Sequence, residues 1–415
     1  MNEQLLAAAK AVKKTKAFLN KVSSTQKEQA LFAIADALEN NTDVILAANA
    51  LDVAAAKDRG ISASLIDRLS LTAARIADMA KGAREVALLP DPIGEVTGMT
   101  TRPNGLQIGK VRVPMGVIGI IYEARPNVTV DAAALCLKSG NATLLRGGKE
   151  AINSNKAIIK VMQEALVSAD FPADCVRLVE DTSHETAEEM MRLNGYVDVL
   201  IPRGGKRLIE SVVKNATLPV IETGTGNCHI YVDATADLAM ATEIIVNAKA
   251  QRPGVCNAAE TLLVHEAVYQ KFLPMAYGAL SEKGVSFRAC EKALPLMPGA
   301  TPATEEDWET EYLDYILAVR VVSDLDAAIC HINQYNTGHS EAIVTNDYSN
   351  ARRFHAEIDA AAVYVNASTR FTDGGCFGKG AEIGISTQKL HARGPMGLEE
   401  LTTIKYIIFG NGQIR

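Results

Sequence analysis

Cys256 stands in the segment Gln251-Arg252-Pro253-Gly254-Val255-Cys256-Asn257, between a helical pattern and an apolar, strand-like run. A free thiol with a pKa of ~8.5 is only a few per cent thiolate at neutral pH, and a nearby cation or helix N-terminus raises that fraction. The segment therefore suits a nucleophile that forms a covalent acyl intermediate. A buried structural cysteine is the competing reading. Among the other cysteines, Cys376 in Asp373-Gly374-Gly375-Cys376-Phe377-Gly378 is the rival thiol. Cys136 lies within a helical pattern, and Cys175 and Cys330 lie near the ends of apolar elements.

A second cluster is Val365-Asn366-Ala367-Ser368-Thr369-Arg370-Phe371-Thr372-Asp373. An arginine beside two hydroxyls after a strand can chelate a carboxylate or phosphate with its planar guanidinium. An exposed loop arginine is the alternative. His339 and His391-Ala392-Arg393 are weaker features of the same kind. Two glycine-rich turns, Arg146-Gly147-Gly148-Lys149 and Pro202-Arg203-Gly204-Gly205-Lys206, each follow an apolar run and open a helical one. Backbone N–H groups and cations at a helix N-terminus suit phosphate; ordinary turns with solvated charges fit as well. Gly224-Thr225-Gly226 begins a dinucleotide fingerprint, but Cys228 and His229 occupy its later positions. Paired carboxylates, HExxH, a Walker loop and CxxC pairs are all missing, so no metal is expected.

The elements that must position these residues alternate along the chain. The first ninety or so residues read as helices, with a capping box at Thr25-x-x-Glu28, a stop at Gly60 and one long pattern from Ser62 to Val86. Glu95 to Pro114 alternates around Pro103-Asn104-Gly105 and predicts a β-hairpin arm. Short apolar runs then alternate with helical ones, beginning at Val117–Tyr122 and ending at Pro219–Glu222. That order predicts a parallel, doubly wound sheet whose ligands sit at the carboxyl ends of its strands. The pattern restarts near Asp237, and Leu401 to Phe409 reads as a strand able to pair with the arm.

At roughly 150 residues per domain, 415 residues suggest two or three domains. Hydrophobic residues at 48% and charged residues at 22% exclude a disordered or coiled-coil chain. A formal net charge of −7 leaves no basic excess for nucleic acid or an anionic membrane, so an anionic substrate needs a local cationic pocket. An odd number of cysteines, 7, argues for reduced thiols, and the amphipathic N-terminus lacks a signal-peptide core. A cytoplasmic setting is expected.

The segments VPMGVIGIIYEARPNVTVDAAALCLKSGNATLLRGGKE, DVLIPRGG, NAKAQRPGVCNAAETLLV, VYVNASTRFTDGG and STQKLHARGPMGLEELTT run in order along nearly the whole chain. Together they resemble the aldehyde dehydrogenase superfamily, most closely its branch that reduces L-glutamyl 5-phosphate in proline biosynthesis. The resemblance implies an aldehyde dehydrogenase-like α/β fold: two doubly wound α/β domains plus a β-hairpin oligomerisation arm. It implies a nucleotide-binding domain over 1–232 with the arm 95–114 inserted and a catalytic domain over 233–365. A return to the first domain over 366–400 and an oligomerisation strand over 401–415 complete it.

The same resemblance implies NADPH as cofactor, an acyl phosphate as small-molecule substrate and a Cys256 thioester that NADPH reduces to glutamate 5-semialdehyde. Asn127 would donate to the oxyanion together with the backbone N–H of Cys256. Arg146 falls where the superfamily binds the adenine ribose, and it would favour NADPH. Gly147, Gly148, Lys149, Gly204 and Gly205 would complete the cofactor site, and Glu311 would hold the nicotinamide ribose. Arg370, Ser368, Thr369 and Arg125 would bind substrate, with the anion that Arg370 meets left open. Glu222 occupies the place of the superfamily's water-activating base, and is structural or a proton shuttle where phosphate takes the acyl group. A homodimer or homotetramer is implied, and transient contact with glutamate 5-kinase. The competing readings are a hydrolytic, NAD(P)-dependent aldehyde dehydrogenase and a catalytically silent binding or structural homologue.

Overall fold

The computed structural model describes residues 2–415, and of residues 63 and 64 the backbone alone. Met1, where the first predicted domain begins, lies outside the described residues. The chain opens with α1 (Glu3–Leu19), α2 (Ser24–Asn40), α3 (Thr42–Asp58), α4 (Ala63–Leu69) and α5 (Ala73–Leu88). The capping box of α2 forms at Ser23 and Gln26 rather than at Thr25 and Glu28. Ser23 N–H donates to Gln26 Oε1 at 3.0 Å, while Glu28 is drawn to the buried Lys138 ammonium at 3.1 Å. Gly60, with φ +69°, follows α3 in the left-handed conformation that ends helices. The pattern from Ser62 to Val86 breaks into two helices because Asn49 grips the link: its amide donates to Leu69 O at 2.9 Å and accepts from Leu71 N–H at 2.8 Å. Thr72 then caps α5 through Arg75 N–H.

Next come β1 (Val96–Thr101), β2 (Gln107–Pro114), β3 (Val117–Tyr122), α6 (Pro126–Lys138) and β4 (Ala142–Arg146). They are followed by α7 (Ile152–Ser168), β5 (Val176–Leu178), α8 (His184–Met190), β6 (Val199–Arg203) and α9 (Lys206–Asn215). The first sheet is parallel in the order β5-β4-β3-β6. Every residue of β3 is buried, as expected of a strand covered on both faces. The predicted strand Pro219–Glu222 reduces to a single bridge, Leu200 to Val220. Pro219 has no N–H with which to extend the ladder.

The second sheet is built from β7 (Cys228–Val232), α10 (Leu238–Ala250), β8 (Ala259–His265), α11 (Tyr269–Ser281), β9 (Ser286–Ala289) and β10 (Thr301–Pro302). After α12 (Glu305–Glu309) come β11 (Ile316–Val322), α13 (Leu325–Tyr335), β12 (Ser340–Val344), α14 (Tyr348–Glu357) and β13 (Ala362–Val365). Its order is β10-β9-β11-β8-β7-β12-β13. Alternate residues of β7 and β8 feed opposite cores. Ile230, Val232, Leu262 and Val264 meet α10 and α11, whereas Tyr231 and Leu263 meet α13 and α14. Each such side chain contributes roughly 1.5–3 kcal/mol of burial.

The chain closes with β14 (Ile385–Ser386), β15 (Gly394–Pro395) and β16 (Thr402–Phe409). β16 pairs antiparallel with β2, from Thr402 opposite Pro114 to Phe409 opposite Gln107, so the arm has the order β1-β2-β16. One compact unit takes the chain to Thr223 with Gly378–Gly384 and Met396–Arg415; the other takes Gly224–Phe377 with Ile385–Pro395. The boundary therefore falls before β7 rather than after residue 232, because β7 is hydrogen-bonded between β8 and β12 of the second sheet. Residues 366–377 likewise stay with the second unit. Among the described residues, no helix is long and apolar enough to cross a membrane.

Candidate active site

In the second unit, α10 ends at Ala250 and the chain loops to β8 past Cys256, which is half-buried. Cys136, Cys175 and Cys228 are buried, and burial pushes the Cys136 and Cys175 thiols up to about 12. These three are inert structural thiols. The Cys228 thiol donates to the backbone carbonyl of Cys256 at 3.2 Å. Gly226 lies flush against the same carbonyl: a Cβ there would come 1.4 Å from Cys256 O, so only glycine fits. Gly226 N–H donates to Glu311 Oε1 at 2.7 Å. The Glu311 carboxylate is thus tied to the backbone that packs on Cys256.

The residues on either side of Cys256 hold Arg370. Gln251 Oε1 accepts from Arg370 Nε at 3.1 Å, and Asn257 Oδ1 accepts from Arg370 Nη1. Asn257 Nδ2 donates to Thr372 O at 3.0 Å, and Thr369 Oγ1 donates to Asn257 O at 2.7 Å. Burial, then the neighbouring Arg252, draw the Arg370 guanidinium below its ordinary value, while the Cys256 thiol, Asp373 and the Cys376 thiol act in the opposite sense. A fixed cation therefore interacts with the candidate nucleophile. Ser368 and Thr369 differ from expectation. Both are buried; Ser368 Oγ caps the following turn by accepting from Arg370 N–H, and Thr369 braces Asn257. They support the cation instead of facing a ligand. Cys376 is exposed, on a loop held by Asp373 Oδ1.

In the first unit, the two predicted phosphate turns follow β4 and β6. Gly205 is the N-cap of α9 and supplies no side-chain cap, and Lys206 and Arg207 beside it are exposed. Gly204 lets the backbone run against Glu123, whose carboxyl carbon would be 2.7 Å from a Cβ. Gly147 and Gly148 lead β4 into the turn at Lys149, which is exposed. Arg146 is not the open cation expected. Its side chain is 8% exposed, and Nη2 donates to Thr182 O at 2.7 Å and Ser183 O at 2.9 Å. It pins the loop before α8, and its Nε is buried without a partner. Exposed Lys149, Lys206 and Arg207 beside the two glycine turns form a donor set that fits a dinucleotide's phosphates.

Asn127 lies in the first turn of α6 of the same unit, exposed, with Nδ2 donating to Asp131 Oδ2 at 3.2 Å. Arg125 precedes α6 as its N-cap. Glu222 is half-buried at the end of the first unit's main segment. The second unit therefore brings together Cys256, Glu311 and Arg370, and the first brings together Arg125, Asn127, Arg146 and the glycine turns. Gln251, Asn257 and Gly226 were missed as site residues. The first two flank Cys256 in its motif, and Gly226 belongs to the glycine pair read only as a fragment of a dinucleotide signature.

The model of the Aldehyde dehydrogenase family matches residues 1–285 and 300–407. The gamma-glutamyl phosphate reductase of Carboxydothermus hydrogenoformans is 63% identical over 413 residues, covering 100% of both chains. The crystal structure of gamma-glutamyl phosphate reductase from Thermotoga maritima superposes with a TM-score of 0.97 at 54% identity, covering 100% of both chains. A glyceraldehyde-3-phosphate dehydrogenase from Methanocaldococcus jannaschii complexed with NADP, 16% identical, shares the fold with a TM-score of 0.72 over 99% of this chain and 94% of that one. The chain belongs to the aldehyde dehydrogenase family and, within it, to the gamma-glutamyl phosphate reductases.

Proposed function

We propose that the chain reduces L-glutamyl 5-phosphate to L-glutamate 5-semialdehyde and inorganic phosphate, with NADPH as coenzyme and Cys256 as nucleophile. The observation that carries this reading is Arg370, a part-buried cation clamped by Gln251 and Asn257 on the two sides of Cys256. The cation favours the Cys256 thiolate. It also offers a fixed positive charge to an anionic substrate in a chain of net charge −7.

The Cys256 thiolate attacks the acyl carbon; the C–S bond forms, the C–O bond to phosphate breaks, and inorganic phosphate leaves. The coenzyme, when bound, supplies the hydride that reduces the resulting thioester. The thiohemiacetal left on Cys256 then collapses, its C–S bond breaking to release the aldehyde and regenerate the thiolate. An oxyanion develops at each addition. The backbone N–H of Cys256 and the Asn127 amide are its proposed donors, the latter after releasing Asp131. The N-terminus of α9 with Gly204 and Gly205, and Lys149 beyond Gly147 and Gly148, hold the dinucleotide phosphates. Glu311, oriented by Gly226, takes the nicotinamide ribose. Arg125 meets the substrate, and Glu222 does not activate water. Exposed Ile404, Tyr406, Ile408 and Phe409 on β16, an unpaired edge, support assembly of a homodimer or homotetramer through the arm.

The experiment follows NADPH formation from glutamate 5-semialdehyde with and without phosphate. Phosphate-dependent turnover is expected. Turnover indifferent to phosphate would identify a hydrolytic aldehyde dehydrogenase, and no turnover in either condition a silent homologue. In the same assay Arg370→Lys raises the Michaelis constant for phosphate if the guanidinium meets phosphate, and that for the semialdehyde if it meets the α-carboxylate.

A further inference from the structure

A pocket of about 300 Å³ in the first unit combines Arg125 with three charged residues that the chemistry above does not use, Arg68, Glu123 and Glu150. Its apolar floor includes Leu69 and Ala124, part of a small cluster with Ala56 and Ala151. Its charged lining comes from three places in the chain: Arg68 from α4, Glu123 and Arg125 from the link between β3 and α6, and Glu150 from the turn after β4. Glu150 also acts on the buried Arg146 guanidinium, so its charge is shared with that side chain. Two cations and two carboxylates therefore share one small, partly apolar cavity.

A simple anion would meet the two glutamates, and a simple cation the two arginines. A ligand with a carboxylate and an ammonium on one carbon satisfies both signs at once, and such charge complementarity sets specificity. We propose that this pocket binds the zwitterionic head of an α-amino acid, Arg68 and Arg125 taking its carboxylate and Glu123 and Glu150 its ammonium. The head belongs either to the glutamyl substrate, in which case the inference rests on the function proposed above, or to a free amino acid acting as an effector.

Isothermal titration calorimetry of the full chain with L-glutamate, L-proline and glutarate, which lacks the ammonium, reads the pocket without turnover. At least one of the two amino acids binds, and glutarate binds at least tenfold more weakly. Arg68→Ala weakens the amino acid at least tenfold, and Arg68→Lys restores part of the loss. Glu123→Gln narrows the gap between amino acid and glutarate, a readout that a merely structural role would leave unmoved. Absence of amino-acid binding, parity of glutarate with it, or equal affinity in wild type and Arg68→Ala overturns the proposal. Kinetics then identifies the source. A substrate head raises the KM for glutamate 5-semialdehyde at least tenfold in Arg68→Ala with the KM for NADP+ unchanged; an effector leaves both constants unmoved and loses its inhibition. A wild-type chain that binds L-glutamate in an Arg68-dependent way yet fails to oxidise the semialdehyde would refute the proposed function and leave the pocket standing.

Discussion

Lys249 Nζ and Glu260 Oε2 lie 2.5 Å apart, with both side chains fully buried, and the pair closes the base of the loop that carries Cys256. Glu260 Oε1 also accepts from Leu313 N–H at 3.1 Å, and Leu313 holds a left-handed φ of +54°. One ion pair thus anchors both the nucleophile loop and the turn that presents Glu311. Burial pushes the Glu260 carboxyl up and draws the Lys249 ammonium down, and each charge counters the shift in the other.

Removing one partner leaves the other buried and unpaired. Glu260→Gln is expected to destabilise the second unit by about 3–5 kcal/mol. The double variant Lys249→Met/Glu260→Met should recover much of that loss, because apolar side chains carry no desolvation penalty. Chemical denaturation of the wild type, Lys249→Met, Glu260→Met and the double variant measures the coupling, and additive losses would show that the two charges act independently.

Gly226→Ala places a Cβ inside contact distance of the Cys256 carbonyl and must displace one backbone or the other. Turnover should fall by orders of magnitude, and the rate of Cys256 alkylation by iodoacetamide should change with it. Wild-type alkylation and turnover would mean that the two segments separate freely.

Cys256→Ser should keep the fold and lose nearly all turnover, since a hydroxyl is hardly ionised at neutral pH. Cys376→Ser should remain active. The reverse pattern in a steady-state assay would make the exposed Cys376 the nucleophile.

Arg146 holds the Thr182–Ser183 backbone, so its effect on the proposed cofactor site is indirect. Arg146→Ala frees those carbonyls at a cost of about 1–3 kcal/mol and should raise the KM for NADPH and NADH by similar factors. Lys206→Ala/Arg207→Ala should also weaken binding of both coenzymes, because the phosphates those cations face are common to NADPH and NADH. An Arg146→Ala enzyme that spares NADH would put the guanidinium on the 2′-phosphate.

Burial raises the Asp131 carboxyl to about 6, with the Asn127 amide and the Arg203 charge opposing. A carboxyl raised in the folded state contributes stability that is fully present below its unfolded pKa and is lost as pH rises through the folded one. The contribution is on the order of 1–3 kcal/mol. Thermal melting between pH 4 and 7 (roughly from the unfolded value to just above the folded one) should show this decline, and Asp131→Asn should flatten it. An unchanged profile in Asp131→Asn would assign the decline to other groups.

The amino-acid sequence by itself determined the elements and their order. Val117–Tyr122 reads as a buried strand because a six-residue apolar run bounded by turns has few other solutions. The hairpin reads from its alternation and from Pro103-Asn104-Gly105. Cys256 and Arg370 were legible as candidates because each stands in a loop beside a regular element, Arg370 next to two hydroxyls. Tertiary structure alone decided how these residues are held. Gly226 meets Cys256 only because β7 and β8 are neighbours in the sheet, and Lys249, Glu260 and Leu313 meet only because the chain returns beside its earlier course. The boundary before β7, the break in the helix at Ser70 and the inward use of Arg146, Ser368 and Thr369 are of the same kind. Each depends on a partner distant in sequence whose hydrogen bond or buried charge outweighs the local preference, and a local pattern carries no record of that partner.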